Sequence, residues 1–477
     1  MTQLRTRSTA AWTFAITSIA LFMVALDNLV VTTALPVIRQ DLGASLQDLE
    51  WTVNAYTLTF AVLLLTGAAL GDRFGRKRMF IIGVAIFTIG SAMAALSPTS
   101  TWLIIARATQ GVGGAIVTPL TLTILSAAVS PERRPLALGA WGGIGGLAIA
   151  IGPVVGGAIA QGVNWHWIFW LNVPVGIVAA ILAYLRLDET YGPEGRLDVP
   201  GLALVSFGLL GLVWSTIHGN DRGWTDPQIL AGYAFGAALL VAFVVWERRA
   251  QAPMLPLHLF RSRGFTTANV TSLLMYFGMF GSVFLLAQYF QVVQGMNPFE
   301  AGLRVLPWTA MPAFVAPIAG VLSSRIGPRP IVAAGLALMS IGLAWLAAIV
   351  TPTTPYISFV LPFIISGAGM GMFFAPIANV VLSAVRRDEE GKASGANNAI
   401  REVGGVFGVA VLAAVFTANG SYFDPQAYVN GLVPAVWVGA AVVAVAAVAA
   451  LWIPNHVVGQ VEDDNLVIDA AVEPAAG

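Results

Sequence analysis

The sequence predicts an all-α polytopic membrane protein. Of its 477 residues, 57% are apolar and only 10% are Asp, Glu, Lys or Arg, whereas an ordinary soluble domain has about 25% charged residues. The charges are bunched, and the apolar stretches between them reach about twenty residues, the length of a transmembrane helix. Because lipid offers the backbone no hydrogen-bond partner and the stretches lack the alternation of barrel strands, each is predicted to be a helix.

Fourteen such stretches are predicted, numbered here as spans 1 to 14, with the last ending near Ile453. They begin near Trp12, Trp51, Met79, Trp102, Leu136, Trp167, Pro200, Gln228, Thr266, Ala301, Ile331, Ile357, Ala393 and Leu432. The first stretch exceeds the core of a signal peptide and more spans follow it, so it is interpreted as a permanent anchor.

The basic residues predict the orientation of the chain in the membrane. With the N-terminus inside, the predicted cytoplasmic connections hold most of the arginines and both lysines, while the outer loops hold only Arg39 and Arg222, with Arg304 near an outer end. By the positive-inside rule, both termini are expected in the cytoplasm and the protein in the plasma (inner) membrane. The acidic tail, residues 456–477, is expected to be disordered.

Composition excludes several other classes of protein. The chain has no cysteine and a formal net charge of +0. The missing cysteines exclude a disulfide framework and thiol chemistry, and the four histidines have no ligand spacing, so neither a metal nor another cofactor is expected. The scattered charges give no basic patch for nucleic acid.

An internal repeat relates the two halves of the chain. Residues 69–83 align with 321–335, an offset of 252 that also relates Gly152 to Gly404 and Gly156 to Gly408. Parallel halves of this kind are a transporter architecture with the site at their interface, near the bilayer midplane. The predicted organisation is a six-helix bundle over 1–190, two inserted helices and a linker over 191–263, a second six-helix bundle over 264–455, and the tail.

Charged residues inside spans are candidates for function, because a charge at membrane depth costs at least about 2.5 kcal/mol. Asp27, Arg107 and Glu402 are of this kind, with Arg401 beside the last. Asp27 lies roughly 13 Å and Arg107 roughly 8 Å below the predicted outer ends of their helices, so contact is permitted. Asp27 is either a fixed partner of Arg107 or a proton carrier. Glu402 is either a second protonation site or the partner of an arginine.

The turn between spans 2 and 3 carries a motif made of Gly67, Asp72, Arg73, Gly75, Arg76 and Lys77. A carboxylate at the C-terminal end of its own helix is disfavoured by several tenths of a kcal/mol, so Asp72 should have a partner elsewhere. The motif resembles the cytoplasmic signature of the major facilitator superfamily. In that family the equivalent acid holds the cytoplasmic side closed, so the resemblance implies a conformational latch. The expected partner is the N-terminal end of span 13, near Gly391 to Ser394.

Three further motifs are similar to those of the fourteen-span drug:proton antiporters in this superfamily. Asp27 to Pro36 resembles their span 1 signature, with Leu29 and Thr32 departing from it. Span 4 carries Arg107, Gln110, Gly111, Gly113 and Gly114, similar to the family's Arg-x-x-Gln-Gly-x-Gly. Span 5 carries Gly139, Gly152, Pro153, Gly156 and Gly157, similar to the antiporter motif, with Ala148 where glycine is common. The last motif implies a hinge or a seal between the halves.

The resemblance implies two six-helix bundles plus two additional transmembrane helices, and a proton-coupled antiporter that exports hydrophobic or cationic small molecules by alternating access. Protons, the substrate and membrane lipid are the expected partners, and a monomer is expected. Quaternary-ammonium exporters of the family carry a functional acid at the position of Asp27, so Asp27→Asn should lose export, most of all for dications. A dedicated exporter of one endogenous metabolite or lipid is the alternative. A membrane-embedded enzyme is disfavoured, because the sequence shows no convergent nucleophile or metal cluster.

Overall fold

The computed structural model describes residues 2–129, 134–192, 197–386, 389–422 and 424–455. Within these residues, fourteen helices are long and apolar enough to cross a membrane, which confirms the predicted number of spans. The predicted starts agree within a few residues at the other twelve spans, but the first helix begins at Thr2 and not near Trp12, and the last begins at Pro425 and not near Leu432. The acidic tail, 456–477, lies outside the described residues.

Most spans are single helices, and two are broken into a pair of helices. Spans 1 to 5 are the helices Thr2–Leu42, Leu46–Phe74, Arg76–Ala95, Ser100–Ala128 and Arg134–Gly162. Span 6 comprises His166–Trp170 and Asn172–Arg186, and spans 7 to 9 are Val199–Arg222, Pro227–Glu247 and Arg263–Val292. Span 10 comprises Pro298–Thr309 and Met311–Ile326, and spans 11 to 14 are Pro328–Ile349, Ile357–Ser383, Glu390–Asn419 and Pro425–Ala450.

Spans 1 to 6 and spans 9 to 14 form two six-helix bundles that share one backbone plan. Gly75 ends span 2 and Gly327 ends span 10, with φ of +100° and +89°, in the region that side chains other than glycine rarely adopt. In both turns the glycine N–H donates to the carbonyl oxygen four residues earlier, on Gly71 and Ser323. The 252-residue repeat therefore holds at the level of backbone conformation.

The repeat also holds in the packing of glycines. On span 5, a methyl group added at Gly152 or Gly156 would overlap Leu29 or Val30 of span 1. On span 13, the equivalent Gly404 and Gly408 lie as closely against the span 9 residues Leu273 and Phe277. Small residues let two helix backbones approach in this way, so spans 5 and 13 hold equivalent places in the two bundles.

The two bundles meet along a seam. We call the end that carries the Arg73–Arg78 turn the basic end, and the opposite end the far end. At the far end, Gly157 of span 5 packs on the backbone of Pro298, and Gly302 of span 10 packs on the backbone of Pro153. The Gln291 amide of span 9 also donates to the Thr33 carbonyl of span 1, at 2.7 Å. Direct backbone contact therefore closes the far end along spans 5 and 10.

Spans 7 and 8 lie outside the two bundles. Span 7 packs against both sides of the seam, with spans 2 and 13, and span 8 packs on span 7. The apolar cluster at this junction comprises Leu58 and Val62 of span 2, Leu209, Val213 and Ile217 of span 7, and Val406 and Ala410 of span 13. Gly208 and Gly236 bring spans 7 and 8 together, while Phe235 of span 8 is exposed. The inserted pair therefore covers one side of the seam.

Candidate functional site

A central cavity lies between the two bundles, near the middle of the spans. It has an internal volume of about 190 Å³, below the roughly 300–1,000 Å³ of typical small-molecule sites. Both bundles contribute to its wall, and most lining residues are apolar. Six of them are aromatic: Tyr56 and Phe60 from the first bundle, and Tyr276, Phe280, Trp308 and Phe374 from the second.

Arg401 of span 13 enters this cavity between two aromatic rings. Its guanidinium carbon lies 4.5 Å from the centroid of the Tyr276 ring and 5.5 Å from that of Phe374. One terminal nitrogen donates to the Asn398 side chain at 3.1 Å, and the other donates to the Tyr276 hydroxyl. The Nε atom is buried and has no hydrogen-bond partner. Ring stacking and two neutral hydrogen-bond acceptors thus hold the guanidinium, while its Nε–H has no acceptor.

Glu402, the next residue, lines the same cavity. Its Oε2 atom is buried without a hydrogen-bond partner, and the described part of the chain places no cation within salt-bridge distance of its carboxylate. The expectation that Arg401 and Glu402 need not pair, because they point about 100° apart on the helix, is confirmed. Glu402 is therefore an acid inside the cavity without a fixed partner.

Asp27 occupies a different environment. Its side chain is fully buried and pairs with Arg107, as the depths of the two residues predicted. The amides of Gln110 and Asn172 donate to its Oδ1 atom at 3.0 and 2.7 Å. Its neighbour Asn28 lines the cavity, but Asp27 does not. The Asp27 carboxylate is therefore sealed inside the first bundle, with its charge neutralised and both oxygens bonded.

Span 4 positions this network because its glycines admit the neighbouring helices. Gly111 and Gly114 lie against span 2, and Gly113 lies against the backbone of span 3, where a methyl group would overlap Phe87. The close approach places Arg107 over the Tyr56 ring at 4.3 Å and lets its Nε donate to the Thr52 carbonyl. The span 4 motif thus supplies the arginine of the ion pair and the space that the neighbouring helices need.

Three hydrogen-bonding groups of this network, and a second group of buried polar residues, were not predicted from the sequence. Asn172, Ser91 and the Thr52 carbonyl complete the shell around Asp27, Arg107 and Gln110. Glu50 and Asn54 of span 2 are also buried, with unpartnered side-chain atoms. A polar residue inside an apolar stretch could have indicated each of these positions. Glu50 was not recognised in this way because span 2 was predicted to begin one residue later.

The span 5 motif lies at the seam, as a seal would. Gly157 and Pro153 contact span 10, while Gly152 and Gly156 face span 1. Ala148 is fully buried, so the departure from glycine leaves a small residue in a close-packed position. Gly139 lies within the same helix, at a position whose contacts the structure does not describe.

Asp72 does not contact its expected partner in this structure. Its carboxylate pairs with Arg76, four residues later, at 2.8 Å, and the described residues near Gly391 make no bond to it. The prediction overlooked that the turn at Gly75 folds the first residue of span 3 back onto the end of span 2. Arg73 lies over the Phe74 ring, and Gly67 packs on the backbone of span 4.

The segment after span 6 docks onto this turn. Glu189 accepts hydrogen bonds from the N–H groups of Lys77 and Arg78, at 2.8 and 3.1 Å. The Gly192 N–H donates to the Asp72 carbonyl at 3.1 Å. The Glu189 carboxylate thus satisfies two free N–H groups at the start of span 3, where the helix dipole favours an anion. The motif is joined to the chain that leads into span 7.

Two equivalent helical bundles around a central cavity are an architecture of membrane transporters. Residues 17–409 and 268–465 match the Major Facilitator Superfamily. The chain belongs to this family, and it is a multi-pass transporter and not an enzyme.

Characterised relatives cover most of the chain. The tetracenomycin C resistance and export protein of Streptomyces glaucescens is 34% identical over 88% of this chain and 78% of its own length. The multidrug resistance protein Stp of Mycobacterium tuberculosis is 34% identical over 85% of this chain and 76% of its own. The methylenomycin A resistance protein of Bacillus subtilis is 31% identical over 88% and 90%.

Solved structures share the fold at low sequence identity. A bacterial homologue of the human lysosomal transporter Spinster has a TM-score of 0.65 at 17% identity, covering 92% of this chain and 96% of that one. The peptide transporter POT in complex with sulfate has a TM-score of 0.65 at 16% identity, covering 94% and 96%.

Proposed function

We propose that this protein is a proton-coupled antiporter that exports hydrophobic small molecules by alternating access. It would lie in the plasma membrane with both termini in the cytoplasm, an orientation supported by the basic residues at the basic end. The names of the relatives, which are resistance and export proteins for antibiotics and drugs, support efflux as the direction of transport.

The observation that carries the proposal is the position of Glu402. An exchanger needs a group that the proton and the substrate both influence, because each must displace the other. Glu402 lies in the cavity wall with an unpartnered buried oxygen, so a proton can bind it without breaking another bond. Asp27 is held by Arg107 on one carboxylate oxygen and by Gln110 and Asn172 on the other, so a proton on either oxygen would break at least one contact and remove the charge that pairs with Arg107. We therefore assign proton coupling to Glu402 and a positioning role to Asp27.

The contact between the two bundles along the seam is the part of the structure that would open and close during transport. At the far end, spans 5 and 10 touch through glycines without intervening side chains. Opening this end breaks these backbone contacts and a few neutral hydrogen bonds, such as that from Gln291 to Thr33. In the described residues, no buried ion pair between the two bundles has to be broken. Closure at one end and opening at the other would then expose the cavity to each side in turn.

The test is transport by purified protein in proteoliposomes with an imposed pH gradient. We expect gradient-driven movement of a neutral amphiphilic dye by wild type and its loss in Glu402→Gln. Asp424→Asn is the matched control, because Asp424 caps span 14 at the far end and asparagine caps equally well. Dye movement that ignores the gradient, or survives in Glu402→Gln, would overturn the proposal.

A screen of several substrates in the same vesicles separates the two kinds of exporter. Multidrug efflux predicts movement of chemically unrelated amphiphiles, because the cavity wall is mostly apolar and aromatic. Movement of a single compound would favour the dedicated exporter.

A further inference from the structure

Two adjacent residues of span 13 carry all the formal charge of the cavity wall. Among the described lining residues, Arg401 is the one cation and Glu402 the one anion, and the others are apolar, aromatic or neutral polar. The charge that a bound ligand can carry is therefore determined by these two side chains.

Neither charge satisfies the other. Arg401 and Glu402 form no ion pair, the Arg401 Nε–H has no acceptor, and the Glu402 Oε2 has no donor. A buried polar group without a partner costs about 1–3 kcal/mol, and more when it is charged. Those two atoms are enclosed by protein, but the side chains that carry them are only half-buried and line the cavity. The cavity thus presents an unpaired cation beside an unpaired anion, and a ligand with an acceptor and a donor could contact both.

The wall has no surplus negative charge for a dication. Asp27 lies outside the cavity and is neutralised by Arg107. The net charge of the wall is therefore zero when Glu402 is ionised and +1 when it is protonated. A second positive charge on a ligand would meet Arg401 with nothing to offset it, and repulsion at low dielectric is strong.

The aromatic residues restrict the shape of the ligand. Tyr276 and Phe374 flank the Arg401 guanidinium, and Tyr56, Phe60, Phe280 and Trp308 complete the aromatic part of the wall. Flat rings gain from offset or edge-on contact with such side chains. The polar groups of the ligand must then lie at the edge of a planar ring system.

We propose that the cavity selects planar, net-neutral aromatic compounds that carry a hydroxyl group and a carbonyl group on one edge, too far apart to hydrogen-bond each other. The ligand hydroxyl donates to the Glu402 carboxylate, and the ligand carbonyl accepts from the Arg401 guanidinium. This inference rests on the proposed function, and it replaces the expectation of a preference for dications.

The same contact explains exchange. An ionised Glu402 accepts the ligand hydroxyl more strongly than a protonated one, which keeps only a neutral carbonyl oxygen as acceptor. A proton on Glu402 therefore weakens the contact that the ligand needs. Proton and ligand therefore compete for one carboxylate, although the ligand has no positive charge.

The test is equilibrium binding to the purified full chain in detergent near neutral pH. The probes are 2,6-bis(hydroxymethyl)anthraquinone, called here the dihydroxy compound, whose hydroxyls cannot reach its own carbonyls, unsubstituted anthraquinone and the dication propidium. We expect wild type to bind the dihydroxy compound at least about tenfold more tightly than anthraquinone, because hydrogen bonds to charged groups are strong. Arg401→Gln and Glu402→Gln should each remove most of that preference. Arg304→Gln, a far-end arginine outside the cavity wall, is the control and should keep it.

Binding of unsubstituted anthraquinone shows whether each variant still has a folded cavity. Tighter binding of propidium than of the dihydroxy compound, or an unchanged preference in Arg401→Gln, would overturn the inference. If propidium is exported with proton coupling that needs Glu402, the proposed function stands and the ligand class fails. If the dihydroxy compound binds as expected but no substrate exchanges for protons, the proposed function fails and the ligand class stands.

Discussion

The carboxylate of Asp27 and the guanidinium of Arg107 form an ion pair inside the first bundle, behind the wall of the central cavity. Both side chains are almost fully buried, at 0% and 1% exposure. Spans 1, 2, 3, 4 and 6 all contribute a hydrogen-bonding group to this pair or to Gln110 beside it. The pair therefore ties five helices of one bundle into a rigid unit.

Removing one partner of this pair should destabilise the protein more than removing both. Asp27→Asn and Arg107→Gln each leave the opposite charge buried and unpaired, which costs about 3–5 kcal/mol. The double variant restores neutrality and should recover a large part of that loss. Thermal unfolding in detergent, arranged as a double-mutant cycle, measures the coupling. If Asp27→Asn has wild-type stability and also loses proton release on substrate addition, Asp27 is the coupling residue after all.

Enlarging Gly157 should open the far end. A methyl group there would overlap the Pro298 carbonyl, and overpacking of this kind costs about 1–3 kcal/mol. Gly157→Ala should therefore shift the population toward far-end-open states by about fivefold or more. Because the chain has no cysteine, spin labels at Val163 and Phe299, exposed by 69% and 37%, can report the distance. Gly162→Ala, where an added methyl meets nothing, should leave the distance distribution unchanged.

Span 7 should hold the far end closed, because adjacent residues bond to opposite bundles. The Asn220 amide donates to the Ala414 carbonyl of span 13 at 2.5 Å, and Asp221 accepts from Gln47 at the start of span 2 at 2.6 Å. Losing one such bond costs about 1 kcal/mol, so Asn220→Ala should raise the far-end-open population roughly fivefold. The same spin-label pair measures it. An unchanged distribution would mean that span 7 only covers the seam.

The linker before span 9 should detach from span 13 in acid. His258 of the linker contacts Glu389 at 2.5 Å, and Arg386 lies 3.5 Å from the same carboxylate. The hydrogen bond from His258, with the charge of Arg386, lowers the pKa of Glu389 below its ordinary value of 4.5. A carboxylate whose pKa is lowered by a contact stabilises that contact at pH values above its ordinary pKa. This stabilisation is lost as the pH falls through the lowered pKa. The contact should therefore persist at pH 5 and disappear well below pH 4.5.

Amide hydrogen exchange across residues 250–262 measures this change. The rates should rise in acid in wild type, after correction for the intrinsic pH dependence of exchange. In Glu389→Gln the rates should be raised already at pH 7. If the variant and wild type exchange alike at pH 7, the contact does not hold the linker.

Much of the architecture could be predicted from the order of residues, because a single apolar segment in lipid can satisfy its backbone hydrogen bonds only as a helix. Fourteen apolar stretches had to become helices, since each N–H and C=O at membrane depth needs a partner within its own segment. The 252-residue repeat predicted two equivalent bundles, and the matching turns at Gly75 and Gly327 confirm it. Depth along a helix is also fixed by residue count, so the sequence showed that contact between Asp27 and Arg107 was permitted.

The direction in which each side chain points could not be read from the sequence in the same way. Asp27 and Asn28 are neighbours, yet Asn28 faces the cavity and Asp27 faces the bundle interior. The rotation of span 1 is set by the glycines of span 5 that pack against Leu29 and Val30, a contact between segments over a hundred residues apart. The partner of Asp72 was missed for a related reason, since the backbone of one glycine turn brings Arg76 beside it. Sequence alone determined the helices, their number and the depth of their charges, because those depend on the solvent and on residue count. Only the tertiary structure decided that Glu402, and not Asp27, faces the cavity, because helix rotation depends on packing against distant partners.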